Sequence, residues 1–163
     1  MVRAWDLAST ANPKSDPDFT VGVLMGKHPA TQMLYVIDVI RGRWSPAQVE
    51  QRIRSTAILD GDETTIRIPQ DPGGAGKFQA AHLASQLRGY SVSTEREERS
   101  KEYRANPFAA QCENFLVKLV EAPWNQGFVD ELCAFPNGAH DDQVDAAAAA
   151  FRALQRRISW HAA

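Results

Sequence analysis

Hydrophobic and polar positions change period along this chain, and the changes mark its elements. Residues 19–27 alternate, with Phe19, Val21, Val23 and Met25 on one side and Gly22 and Gly26 on the other. A period of two predicts a strand. A short apolar run precedes it at 2–8, and a β-rich run follows at 33–40. The breaks between them are a turn-rich stretch (Ser9, Asn12, Pro13, Ser15, Asp16, Pro17) and His28-Pro29. Three strands with short connections predict an antiparallel meander.

After Trp44 the period lengthens. Ser45-Pro46 is an N-cap and N1 pair, and Val49, Ile53 and Ile58 recur at roughly helical spacing. Residues 64–69 form another β-branched run, ending at Gln70-Asp71-Pro72-Gly73-Gly74. A second helix is expected over 77–88, stopped by Gly89, with a short strand over 90–94. Residues 95–106 read as a charged, mobile loop leading into a helix at 107–113. A short strand over 115–120 and a helix over 126–133 follow, then the turn Phe135-Pro136-Asn137-Gly138. The longest helix is expected over 140–157, burying Val144, Ala148, Phe151, Leu154 and Ile158. A meander followed by β-α-β units predicts a mixed sheet flanked by helices, in the α/β class. No repeat or second domain is visible, so residues 1–163 read as one domain with a core over about 2–157.

Composition narrows the class. At 163 residues and 44% hydrophobic, the chain can build an ordinary core. No apolar run approaches the roughly 18 residues of a membrane span. Two cysteines, Cys112 and Cys133, make no disulfide framework, so a reducing compartment is expected. A formal charge of -2 argues against nucleic-acid binding by bulk charge. The charge is segregated, however. Between Leu119 and Phe151 there is no Lys or Arg, yet Glu121, Asp130, Glu131, Asp141, Asp142 and Asp145 all lie there. Most Arg and Lys fall between Arg41 and Arg104, which suggests a cation site on one element and an anionic partner held by another.

Acidic side chains stand in three notable places. Asp6, between Trp5 and Leu7, is a charge inside an apolar strand; it either faces water from an edge strand or ligates a metal from a central one. Asp71 ends a strand before Pro72-Gly73-Gly74, a sequence that also makes an ordinary turn. Ligands of open α/β sheets gather at such strand ends. His140-Asp141-Asp142-Gln143-Val144-Asp145 opens the last helix, where capping and dipole terms of about 0.3–1 kcal/mol compete with i,i+4 repulsion. Capping leaves Asp145 unexplained, and a bound divalent cation would account for it. Carboxylates without a Cys or His cluster select Mg²⁺ or Mn²⁺, and two such ions are the usual apparatus of phosphodiester cleavage. Gly73-Gly74-Ala75-Gly76-Lys77-Phe78 is not a Walker A loop, because Phe78 replaces the magnesium-binding hydroxyl. The four histidines are scattered, and the four tryptophans read as core or interface anchors.

The carboxylate pattern resembles the RNase H-like, RuvC-like superfamily, and more closely the C-terminal nuclease domain of tailed-bacteriophage large terminase subunits. The carrying segments are Trp5-Asp6-Leu7-Ala8, Asp18-Phe19-Thr20-Val21-Gly22, and Gln70-Asp71-Pro72-Gly73-Gly74-Ala75-Gly76-Lys77. Lys101-Glu102-Tyr103-Arg104-Ala105-Asn106-Pro107 and residues 135–146 complete them. The resemblance implies an RNase H-like fold with a mixed five-stranded sheet. It implies a Mg²⁺- or Mn²⁺-dependent endonuclease, with two ions in the cutting state, that cleaves concatemeric double-stranded DNA in the bacterial host cytoplasm. Asp6 and Asp71 match the family's first two acids, and Asp142 and Asp145 are the choice for the third position. Asp141 is then a cap or supporting group, its role exchangeable with that of Asp142. Lys77, Lys101 and Arg104 are candidate contacts to DNA phosphates. For Lys101 and Arg104 the equal alternative is a solvated run balanced by Glu97, Glu98 and Glu102. The packaging ATPase of a large terminase has no counterpart here, so the chain reads as an excised or separately encoded nuclease domain. That ATPase domain, the portal and the small terminase subunit are the implied partners, with no membrane. The alternatives are a Holliday-junction resolvase and a non-catalytic RNase H-like interaction domain.

Overall fold

The meander forms as the alternation predicts: β1 (Val2–Asp6), β2 (Thr20–Lys27) and β3 (Leu34–Gly42) run antiparallel. The computed structural model describes residues 1–8, 18–96 and 99–159, with side chains as far as 155. The stretch from Ser9 to Pro17, Glu97, Glu98, Trp160, His161 and the Ile158 side chain lie outside the described residues. On the other side of β1 comes β4 (Thr65–Gln70), parallel to it, and then β5 (Val92–Arg96), parallel to β4. The sheet has six strands rather than five, in the order β5-β4-β1-β2-β3-β6. The addition is β6 (Val117–Leu119), parallel to β3. The short strand expected over 115–120 narrows to these three residues, and its place in the sheet is what the five-strand expectation lacked. Pairing decides it, with Leu34 N–H donating to Leu116 O at 2.9 Å and Val120 N–H to Val36 O at 3.0 Å.

Helix α1 (Pro46–Asp60) starts where expected, on a complete capping box between Ser45 and Gln48. Its buried stripe is Ile53, Thr56 and Ala57, and Ile58 is exposed. Nine residues on from Val49, Ile58 lies on the opposite side of a 3.6-residue turn. Helix α2 (Gly74–Gln86) begins three residues early because Gly76 permits it: a Cβ there would collide with the backbone and Cβ of Asp71. The expected loop at 95–106 instead carries the end of β5 and the start of α3 (Lys101–Glu113). Ser100 caps that helix by accepting from Tyr103 N–H, and Pro107 sits inside it.

Two layers cover the sheet. Trp5, Ile66 and Ile68 face α1 and α2, packing on Ile53, Ala57, Ala80 and Leu83. Val2, Ala4, Val21, Val23, Met25 and Val36 face α5 (Asp142–Ser159). Outside α5 lie α3 and α4 (Asn125–Ala134), contributing Phe108 and Phe128. Thus α5 is wrapped on both sides, which explains Ala146 to Ala150, every one buried. Longer side chains would hold the sheet and the outer helices apart. On the opposite face, buried Arg3 ties β1 to the end of α1, donating from Nε and Nη2 to the Asp60 carboxylate at 2.7 and 2.8 Å. Among the described residues no helix is long and apolar enough to cross a membrane.

Gly22 meets the Trp5 ring so closely that an added Cβ would stand 2.8 Å from it. Gly22→Ala should therefore cost about 1–3 kcal/mol as an overpacking change. Urea unfolding of the two proteins checks this; an unchanged midpoint would show that Trp5 gives way freely.

Candidate active site

Strand direction gathers the site at one edge of the sheet. β1, β4 and β5 are parallel and end there, and β3, antiparallel to β2, ends there as well. Alternation does the rest. Trp5 points to the α1 and α2 side, so the next residue, Asp6, points to the α5 side. The first turn of α5 supplies Asp142 and Asp145, only 4% and 7% exposed.

Burial raises the pKa of Asp6 well above the usual carboxylate value, and the negative charges of Asp145 and Asp142 raise it further. Lys101 and Arg104 act against that rise. Asp145 is also raised by burial, although Arg104 and Lys101 oppose it. Asp142 is raised chiefly by burial, in spite of the Phe19 N–H that donates to its Oδ2 at 3.2 Å. His140 Nδ1 lies 3.8 Å from the same oxygen.

The cations come from the first turn of α3. Lys101 Nζ donates to Asp141 Oδ1 at 2.6 Å and stands 3.3 Å from Asp145 Oδ2. Arg104 Nη2 is 3.0 Å from Asp145 Oδ1. The two basic residues thus bind the carboxylates themselves. Burial works against the Lys101 ammonium, but Asp141 and Asp145 outweigh it and lift its pKa above the ordinary lysine value.

Asp6, Asp142 and Asp145 are brought together, with Asp141 held at the rim by Lys101. Asp71 lies one strand away. Continuing the β1–β4 register sets Asp6 level with Pro69, so Asp71 is two residues further along the same face. Its side chain is exposed and is not among the charges bearing on Asp6. Lys77 is exposed in the first turn of α2. Among the described residues no three Asp, Glu, His or Cys side chains form a ready metal cage.

Glu131, which the sequence shows only as one of six acids in a stretch without Lys or Arg, has a defined role. It is buried on α4 and accepts from Gln143 N–H and Gln143 Nε2, each at 2.6 Å, so it caps α5 from a neighbouring helix. The available signal was its position three residues after buried Phe128, on the apolar face of α4. Phe19, Arg41 and Arg43 were passed over as site residues. Both guanidinium carbons lie over the Phe19 ring, at 3.6 and 4.1 Å from its centroid.

These pKa directions carry a sign. Asp6, Asp142 and Asp145 titrate above 3.8 when folded, so the folded protein binds more protons there than the unfolded chain. Their contribution to stability is greatest below the ordinary carboxylate range and is lost as pH rises through the raised values. Asp6→Asn should therefore raise the melting temperature in chelator at neutral pH, by roughly 2–4 °C per kcal/mol of repulsion removed. The gain should shrink on acidification. A lower melting temperature for the variant at neutral pH would contradict the crowding of charge.

Solved structures share this architecture. The nuclease domain of the P22 large terminase matches with a TM-score of 0.68 at 16% identity, covering 96% of this chain and 80% of that one. The large terminase nuclease of thermophilic phage G20c, solved with bound zinc, matches at 0.63 and 19%, covering 93% and 80%. The fowlpox virus resolvase, solved with Holliday-junction DNA, matches at 0.60 and 6%, covering 96% and 98%. No curated protein sequence matches. The family model described as the terminase RNaseH-like domain matches residues 3–154, which spans every element from β1 into α5. The chain belongs to the terminase RNaseH-like domain family.

Proposed function

We propose that this domain is the divalent-metal-dependent DNA endonuclease of a viral packaging terminase, cutting concatemeric double-stranded DNA in the bacterial host cytoplasm. The observation that carries this reading is the convergence of Asp6, Asp142 and Asp145 at the carboxyl end of β1, where burial and like charge disfavour all three anions. Hard carboxylate oxygens suit Mg²⁺ or Mn²⁺ rather than a thiolate-seeking metal. Asp6, Asp142 and Asp145 would hold one ion, and Asp71, on the same face one strand over, would share a second with Asp6. Such ions supply nucleophile activation and neutralise charge on the leaving oxygen.

The chain's own groups prepare that chemistry. Phe19 N–H and His140 hold Asp142, while Arg104 and Lys101 hold Asp145 and Asp141. These contacts offset part of the negative charge gathered there. Lys101 is half exposed and is placed to turn toward a phosphate once Asp141 and Asp145 are otherwise engaged. The overall charge of -2 implies weak intrinsic affinity for DNA. The packaging ATPase domain, the portal and the small terminase subunit are the partners that would deliver the substrate.

Plasmid cleavage in Mn²⁺ tests the reading. Asp6→Asn and Asp71→Asn should each lower nicking by at least about 100-fold, on the scale of a lost electrostatic catalytic group; equal nicking by wild type and variants would sink the assignment. The likeness to the fowlpox resolvase favours a second reading, a junction resolvase. Linear duplex should be cut at least as well as a four-way junction, and a strong preference for junctions would replace packaging with resolution. Calorimetry with Mn²⁺ separates both from a non-catalytic domain, which would bind none at millimolar concentration.

A further inference from the structure

The strand ladder sets Asp6 opposite Val21 and Val21 opposite Arg41. Asp6 and Arg41 therefore stand in one row on one face of the sheet, about two strand spacings or ~9.5 Å apart at the backbone. Arg43, two residues on, shares that face beyond the end of β3. Phe19 N–H bonds Asp142, and both guanidinium groups lie against the Phe19 ring, which His140 meets edge-on at 5.0 Å. One aromatic ring thus joins the carboxylate site to two cations on its lip.

We propose that Arg41 and Arg43, held on Phe19, form a phosphodiester-binding site for the DNA backbone beside the scissile phosphate. The proposal rests on the nuclease reading and adds to it where the substrate is gripped. A guanidinium fork matches phosphate geometry, and a stacked guanidinium loses less freedom when it binds. Arg41 is further fixed by Glu131, 3.4 Å from one of its terminal nitrogens, so its remaining donors keep a set direction. Lys101 and Arg104 lie against Asp141 and Asp145 from α3, whereas Arg41 and Arg43 stand over Phe19 at the end of β3, so the site carries cations on two sides. Backbone phosphates on one strand recur at about 3.4 Å of axial rise, which puts the pair within reach of nucleotides next to the one being cut.

Fluorescence anisotropy with a labelled duplex in chelator, across a salt series, tests this without cleavage. The double variant Arg41→Gln, Arg43→Gln should weaken binding about tenfold near 0.1 M salt and reduce the slope of log K against log salt by about 1–2, as expected for two lost phosphate contacts. Arg43→Gln alone should reduce the slope by about 1, and it leaves the Arg41 contact to Glu131 in place. Arg54→Gln, on α1 across the sheet, removes the same charge and should leave the slope unchanged. Variants that melt like wild type and keep its slope overturn the proposal, as does an equal loss with Arg54→Gln, which would show only net charge at work. Cleavage assays on the same proteins separate the two readings. A wild type that cuts while the Arg variants bind normally removes this site alone, whereas a wild type that neither binds nor cuts removes the nuclease reading with it.

Discussion

Taking carboxylates out of water is costly, and this fold gathers three of them at the end of its central strand. Much of the surrounding architecture serves to offset that cost. The first turn of α3 reaches across with two cations, the start of β2 offers a backbone donor, and the amino end of α5 presents its dipole to the cluster. Glu131 occupies donors at that helix end, so α5 is fixed from α4 as well as from the sheet. Remove the carboxylates and these contacts have no common purpose.

The fold was largely legible because its strands alternate cleanly and its turns carry Pro and Gly. The meander, α1, β4 and the last helix all follow from local pattern. What local pattern missed was decided at long range. The strand at 117–119 joins the sheet because β3 is beside it, and α3 starts at Lys101 because Ser100 caps it and the Asp141 and Asp145 carboxylates await its cations. Glu95 to Arg104 reads as a solvated charge run when its partners, some forty residues later in the chain, are not considered. Asp6, Asp142 and Asp145 were visible as anomalies, since each is a charge at an apolar or crowded position. Glu131, Phe19, Arg41 and Arg43 were not, because an Arg on a strand end and a Phe at a strand start are unremarkable until the ladder aligns them.

Family membership and geometry speak to different levels. Structures at 6–19% identity share the sheet and its helices, and one architecture there serves a terminase nuclease and a junction resolvase alike. In this chain the rim of the site consists of α3 on one side and the ends of β2 and β3 on the other.

The alanine-lined helix has a consequence for how the protein is made. α5 follows every strand it covers in the chain, yet it forms the middle of the larger core. Until it docks, Val2, Val21 and Val23 lack the layer that covers them, and Phe108 lacks its Phe151 contact. Contacts this distant in sequence close slowly, and collapse should await nearly the whole chain as it leaves the ribosome. The acids of the site come from residue 6 and residues 142 and 145, and they meet in the same late step. A partly synthesised chain therefore carries no assembled cluster, and competence for chemistry arrives together with the finished fold.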